Sequence, residues 1–320
     1  MKLLKKIKLN YNLKLLNDLV INNKYDEANK LITDIKNKDK LDLFLLLKNS
    51  QNLMANLPSD FYKRKIIWTV SYDSLELTYI NQFLNYYLLK NLNFSFFIKN
   101  FATSLNDLFV NLGIDNQVNE IKFEDFLTYS NLYQNLLLYN FDRDFLFMNT
   151  CNSFFQTNKK NFFIHPNITF CYIYVIRDPK ELLIRYKSKF NSPEASYDEL
   201  FNFSNQPYLS EEQENMKFKV FENRTNYNIN YNSWTDENVI STYKGKIISY
   251  EKLLDDTQNV LLEILYHLKQ YGMDVGINLD DINNFVSTNK IDGKNYGDLS
   301  NNDKKFLNKN LDKIIFPVKI

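Results

Sequence analysis

Cys171–Ile176 is an unbroken run of apolar, β-branched and aromatic residues, the pattern of a strand buried on both faces. Arg177-Asp178-Pro179 interrupts it. Asp178 can cap a helix, Pro179 suits its first turn, and Glu181 follows three residues after the cap. Leu182, Leu183 and Tyr186 supply an apolar side. The pattern predicts a buried strand, a sharp turn and a helix, with an arginine at the strand's C-terminal end. Lys65–Ser71, Asp144–Asn149 and Lys246–Tyr250 carry further strand patterns. After Lys65–Ser71 a loop is expected over Tyr72–Leu77 and a helix over Thr78–Leu89, with Ile80, Phe83, Leu84, Tyr87 and Leu88 as its apolar face. Another helix is expected over Asp256–Leu268. Phe285–Lys309 is expected to close the chain with a loop holding Gly293 and Gly297, then a helix.

The ends of this pattern differ. Residues 1–57 have helical spacings throughout: Leu13, Leu16 and Leu19, then Ala28, Leu31, Ile32 and Ile35. Asn23–Ala28 has the form of a helical-hairpin turn, but about one repeat is present and a solenoid needs more. This stretch is expected to be a helical extension packed on the rest, and a partner-binding role is the other reading. Pro58-Ser59-Asp60 marks the boundary, and 58–320 is read as one domain. Residues 91–144 are mostly helical in pattern. Asn191–Asn223 is polar and is expected to form a surface excursion or lid.

Composition narrows the function classes. The chain has 320 residues, is 44% hydrophobic and 16% aromatic, and carries a net charge of +1. A large core therefore needs no disulfides. The near-balance removes the usual case for a nucleic-acid partner, which rests on a clustered basic face. Cys151 and Cys171 lie in or beside apolar runs and suit buried thiols better than a bridge or a metal pair. Two histidines, His165 and His267, exclude a His-rich metal site. No run reaches ~18 apolar residues, and the basic start lacks the apolar core of a signal peptide. The expectation is a soluble, cytoplasmic protein without a membrane partner.

Four segments then line up in order. Ile176–Leu182 (IRDPKEL) resembles the 3′-phosphate-binding motif of the PAPS-dependent sulfotransferases, in their microbial branch. Ser249–Leu254 (SYEKLL) is similar to the family's YEDLL segment. Asn230–Trp234 (NYNSW) is similar to its N-x-x-SW element. Lys65–Leu88 resembles its first strand, 5′-phosphosulfate loop and helix. The resemblance covers about residues 60–310. It implies an α/β fold, a three-layer P-loop-like domain with a mostly parallel central sheet. It also implies PAPS or PAP as the nucleotide and a hydroxylated acceptor as partner. The residues it assigns to the nucleotide are Arg177, Arg185, Ser74, Thr78, Tyr79 and Tyr250.

The departures lie at the chemistry. Against the family's SYPKSGNTW, this chain has Ser71-Tyr72-Asp73-Ser74-Leu75-Glu76-Leu77-Thr78-Tyr79. The phosphate-neutralising lysine and the glycine are gone, and two carboxylates have arrived. One like-charge pair at ~4 Å and an effective dielectric of ~20 costs about 4 kcal/mol, roughly a thousandfold in affinity. The family's Lys-Thr-His falls on Phe147, Met148 and Asn149. Asparagine at the histidine position can hydrogen-bond a hydroxyl but cannot take its proton. His165 lies in a polar loop before Pro166 and is expected to be an exposed loop residue rather than a displaced base. His267 is expected to be structural. The C-terminal Arg-Lys-Gly element has only a blurred relative in Asp292-Gly293-Lys294. The chain is thus expected to be a degenerate sulfotransferase-like protein with residual 3′-phosphonucleotide binding. An active divergent enzyme and a purely interacting module are the alternatives.

Overall fold

The computed structural model describes residues 2–38, 40–54, 57, 61–72, 74–92, 98–100, 121–140, 144–154, 163–189, 217–218, 227–291 and 300–309. Its centre is a five-stranded sheet of β1 (Lys65–Ser71), β2 (Ile98–Asn100), β4 (Phe145–Thr150), β5 (Thr169–Ile176) and β7 (Gly245–Ser249), in the order β2-β4-β1-β5-β7. Every pair in it is parallel. The two-residue strands β3 (Ile121–Lys122) and β6 (Lys217–Phe218) pair antiparallel as a separate two-stranded sheet.

Alternation along the strands separates two cores. Ile66, Trp68, Val70, Leu146, Met148, Tyr172, Tyr174 and Ile176 face one side. Ile67, Phe147, Cys171, Ile173 and Val175 face the other. The first core takes in Leu16, Ile32, Leu43 and Leu47 from the helices Lys2–Ile21, Tyr25–Lys38 and Lys40–Asn49, and Leu132 and Leu136 from Phe123–Asn140. The N-terminal helices thus share one hydrophobic cluster with a face of the sheet. The second core is closed by the helices Ser74–Leu92, Thr257–Gln270 and Leu279–Thr288 through Phe83, Leu84, Leu261, Ile264, Leu265 and Phe285. The result is an α/β three-layer arrangement. No helix among the described residues is long and apolar enough to cross a membrane.

Three boundaries differ from expectation. The helix after β1 begins at Ser74, not Thr78, so the link is Tyr72-Asp73 rather than six residues. Without a glycine or proline there, and with Glu76 in the first turn where the helix dipole favours a carboxylate, nothing in the local sequence opposes early helix formation. Tyr227–Thr235 is a helix that no expectation had assigned. Phe285 belongs to Leu279–Thr288, and a second helix runs from Asn301 to Lys309. The lid expected over 191–223 lies outside the described residues except Lys217–Phe218. Asp292-Gly293-Lys294 lies outside them entirely.

Candidate functional site

Register brings three strand ends together. Ser71 pairs with Val175, and Ile176 pairs with Ser249. The chain leaves β1 toward β4 and β2 and leaves β5 toward β7, so it diverges between β1 and β5. In open α/β sheets ligands bind where connections diverge at the carboxyl ends. Arg177 stands at that point.

The turn is built much as its residue types suggest. Asp178 Oδ1 accepts a hydrogen bond from Lys180 N at 2.8 Å, and Pro179 opens the helix Pro179–Lys189. A second carboxylate comes from the next strand end. Asp178 N donates to Glu251 Oε1 at 2.9 Å, and Ser249 Oγ donates to Glu251 Oε2 at 2.8 Å. Ser249 Oγ in turn accepts from Lys252 N and caps the helix Tyr250–Asp255. Burial raises the Asp178 carboxyl above its ordinary value, and Glu251 pushes the same way. The Lys180 backbone bond, the Lys180 charge and Arg177 pull it down.

Arg177 is 6% exposed. Its guanidinium carbon lies 4.7 Å from the centroid of the Tyr250 ring, and one terminal nitrogen is 3.8 Å from Glu181 Oε2. Its Nε has no hydrogen-bond partner among the described residues. The backbone oxygen of Arg177 accepts from Tyr227 Oη at 3.1 Å. Tyr227 meets Tyr72 edge-on at 5.7 Å. Glu76 is 1% exposed at the start of the helix after β1. It lies close enough to Tyr174 and Tyr227 to push both hydroxyls further up, beyond the larger effect of their burial. The β1–β5 edge is therefore filled by tyrosines and a buried carboxylate, and the arginine lies beside them.

The remaining assigned residues divide. Tyr79 is buried against Phe285 at 5.2 Å, and its hydroxyl donates to Asn289 O at 3.4 Å, so it packs the helix against Leu279–Thr288. Thr78 is exposed on the second turn of its helix. Tyr250 is turned toward Arg177. The side chains of Ser74 and Arg185 lie outside the described residues. Asn149 pairs with Thr69, and its Oδ1 accepts from Thr69 Oγ1. Thr69 is level with Ile173. Arg177 is four residues further along that strand direction, roughly 13 Å at the usual rise, and two strands away.

His165 overturns its expectation. It is 5% exposed. Its Nδ1 accepts from Asn167 N at 3.2 Å and caps the short turn Pro166–Ile168, and its own N–H donates to Gln134 Oε1 at 3.0 Å. Burial holds its pKa down to about 4. The polar loop as a whole suggested solvent, but Phe163 and Ile164 directly before His165 are buried in the core and carry it inside. His267 lies in the Thr257–Gln270 helix with Nε2 2.9 Å from Lys244 O, a structural contact. The sequence reading missed Tyr227 and the bridging role of Glu251. The only signal for the second was its place two residues after a strand-ending serine.

Comparison with known proteins adds no relative: no family model and no curated protein matches the chain.

Proposed function

We propose that this chain is a catalytically silent sulfotransferase-like protein that binds a 3′-phosphonucleotide such as PAP at Arg177. The observation that carries the reading is Arg177 itself. It is a buried cation at the diverging sheet edge, two residues before a helix start, and among the described residues its Nε is unbonded and its one carboxylate contact is a long 3.8 Å. A phosphate oxygen supplies the acceptor such a group lacks.

The phosphosulfate end of PAPS does not fit the same edge. Two positions separate β1 from the next helix, too few for a cradle of N–H groups, and the first turn of that helix carries the buried carboxylate of Glu76. Nor does Asn149 offer a base, since asparagine cannot accept the acceptor's proton. The chain's own part in the function is therefore to hold a phosphate and to hold Arg177 in place by the Tyr250 face.

Binding of PAP, followed by calorimetry, tests this. Arg177→Gln should weaken it at least tenfold. Glu181→Gln removes a competing carboxylate from the side of Arg177 and should tighten it several-fold, a gain that structural damage would not produce. The purified chain should not consume PAPS in the presence of hydroxylated acceptors. Absence of PAP binding, indifference to both substitutions, or PAPS-dependent turnover would each overturn the reading.

A further inference from the structure

The opposite end of the sheet holds a second feature. Where β1, β4, β5 and β7 begin, a groove of about 570 Å³ opens between them, with Lys63, Lys65, Thr169, Thr242 and Lys244 on its polar side and Phe170 on its apolar side. Its volume lies in the ordinary range for a small-molecule site, about 300–1,000 Å³. A smaller hollow of about 240 Å³ adjoins it through Tyr62 and Lys63 and adds Lys30 and Arg64. Five cationic side chains thus line these two neighbouring hollows on a chain whose net charge is only +1.

The way these cations are held matters more than their number. Lys244 ends the helix Glu237–Tyr243 in the left-handed conformation, φ 53°. This turns the chain sharply into β7 at the groove's wall. Its ammonium lies 5.0 Å from the Tyr271 ring centroid and 5.7 Å from that of Phe170. It makes no ion pair among the described residues. Lys65 Nζ donates to the backbone oxygen of Asn167 at 2.6 Å, a bond that holds the ammonium at the groove. Lys63 reaches Asp26 at 2.7 Å, but both side chains are largely exposed, and such pairs are worth little. Like charges fixed in one concavity raise the local potential and favour an anion there.

We propose that this groove is a binding site for a small phosphate-bearing organic molecule of the nucleotide class. Lys63, Lys65 and Lys244 take the phosphate, the threonine hydroxyls complete its hydrogen bonds, and the apolar side receives the organic body. The site is separate from the Arg177 edge and does not depend on that reading.

Titration of the full chain with ADP and with inorganic pyrophosphate, read by calorimetry at two salt concentrations, tests it. Both should bind, ADP more tightly. Lys244→Gln and Lys63→Gln should each weaken ADP about tenfold, the loss expected for one charge-assisted contact. Arg177→Gln should leave ADP binding unchanged. Lys63 is exposed, so its variant answers even if Lys244→Gln disturbs the helix end. Four results would overturn the proposal: no ADP binding, binding indifferent to both lysine substitutions, pyrophosphate bound as tightly as ADP, or ADP binding lost only in Arg177→Gln.

Discussion

The guanidinium of Arg177 lies face-on to the ring of Tyr250, 4.7 Å from its centroid. The two residues come from different strand ends, β5 and β7, so the contact ties the turn after one to the helix after the other. A buried cation over an aromatic face is worth about 1–2 kcal/mol. Tyr250→Phe keeps that face, while Tyr250→Leu removes it. The leucine variant should lose about 2 kcal/mol more than the phenylalanine variant in urea unfolding. Equal losses would mean that the ring face contributes nothing.

Acid should weaken the fold through His165. The folded-state pKa, about 4, lies below the ordinary value near 6.5. Between these values the unfolded chain binds the extra proton, so stability rises with pH across that window. The contribution is complete above about pH 6.5 and is lost progressively as pH falls toward 4. Its size is on the order of 3 kcal/mol. Urea midpoints measured from pH 7 to pH 4 should fall more steeply for the native chain than for His165→Gln. Parallel curves would place the acid sensitivity elsewhere.

Gly245 is required by a ring rather than by backbone conformation. A methyl group there would lie 2.3 Å from Cζ and 2.4 Å from Oη of Tyr172. Tyr172 is fully buried, and its hydroxyl donates to Trp234 O at 2.5 Å. The ring cannot retreat without breaking that bond. Gly245→Ala should therefore cost about 3 kcal/mol, the upper range for overpacking, seen as a lower melting temperature. A neutral substitution would show that the ring moves freely.

Asn149 should matter for stability and not for ligand binding. Its Oδ1 serves Thr69, well below the Arg177 edge. Asn149→Ala should cost about 1–2 kcal/mol and leave PAP affinity unchanged. A loss of PAP binding with normal stability would return this residue to the ligand site.

The strands were the most legible part of the chain. Lys65–Ser71 was bounded to the residue, because a strand buried on both faces is a continuous apolar run between polar ends. The Asp178-Pro179 helix start was equally readable, since capping uses neighbouring residues. The start of the helix after β1 was not, because a short run of polar and apolar residues suits a loop or a first helical turn alike. His165 failed for a different reason. The whole stretch Asn152–Thr169 reads as a polar loop, which hides the apolar Phe162-Phe163-Ile164 directly before it, and its neighbours in space, Tyr62 among them, come from distant segments.

By itself the sequence determined the alternation of buried strands with amphipathic helices, the capped turn after β5 and the two acids, Asp73 and Glu76, that follow β1. These are local properties of spacing and residue type. Only the tertiary structure decided that Arg177 is buried between Tyr250 and Glu181, that Glu76 lies beside two tyrosines, and that lysines distant in sequence share one groove. Each of these depends on strand order and register, which bring Arg177 to Tyr250, Glu76 to Tyr174 and Lys65 to Lys244 across more than 70 positions, and the local pattern carries no record of such pairings.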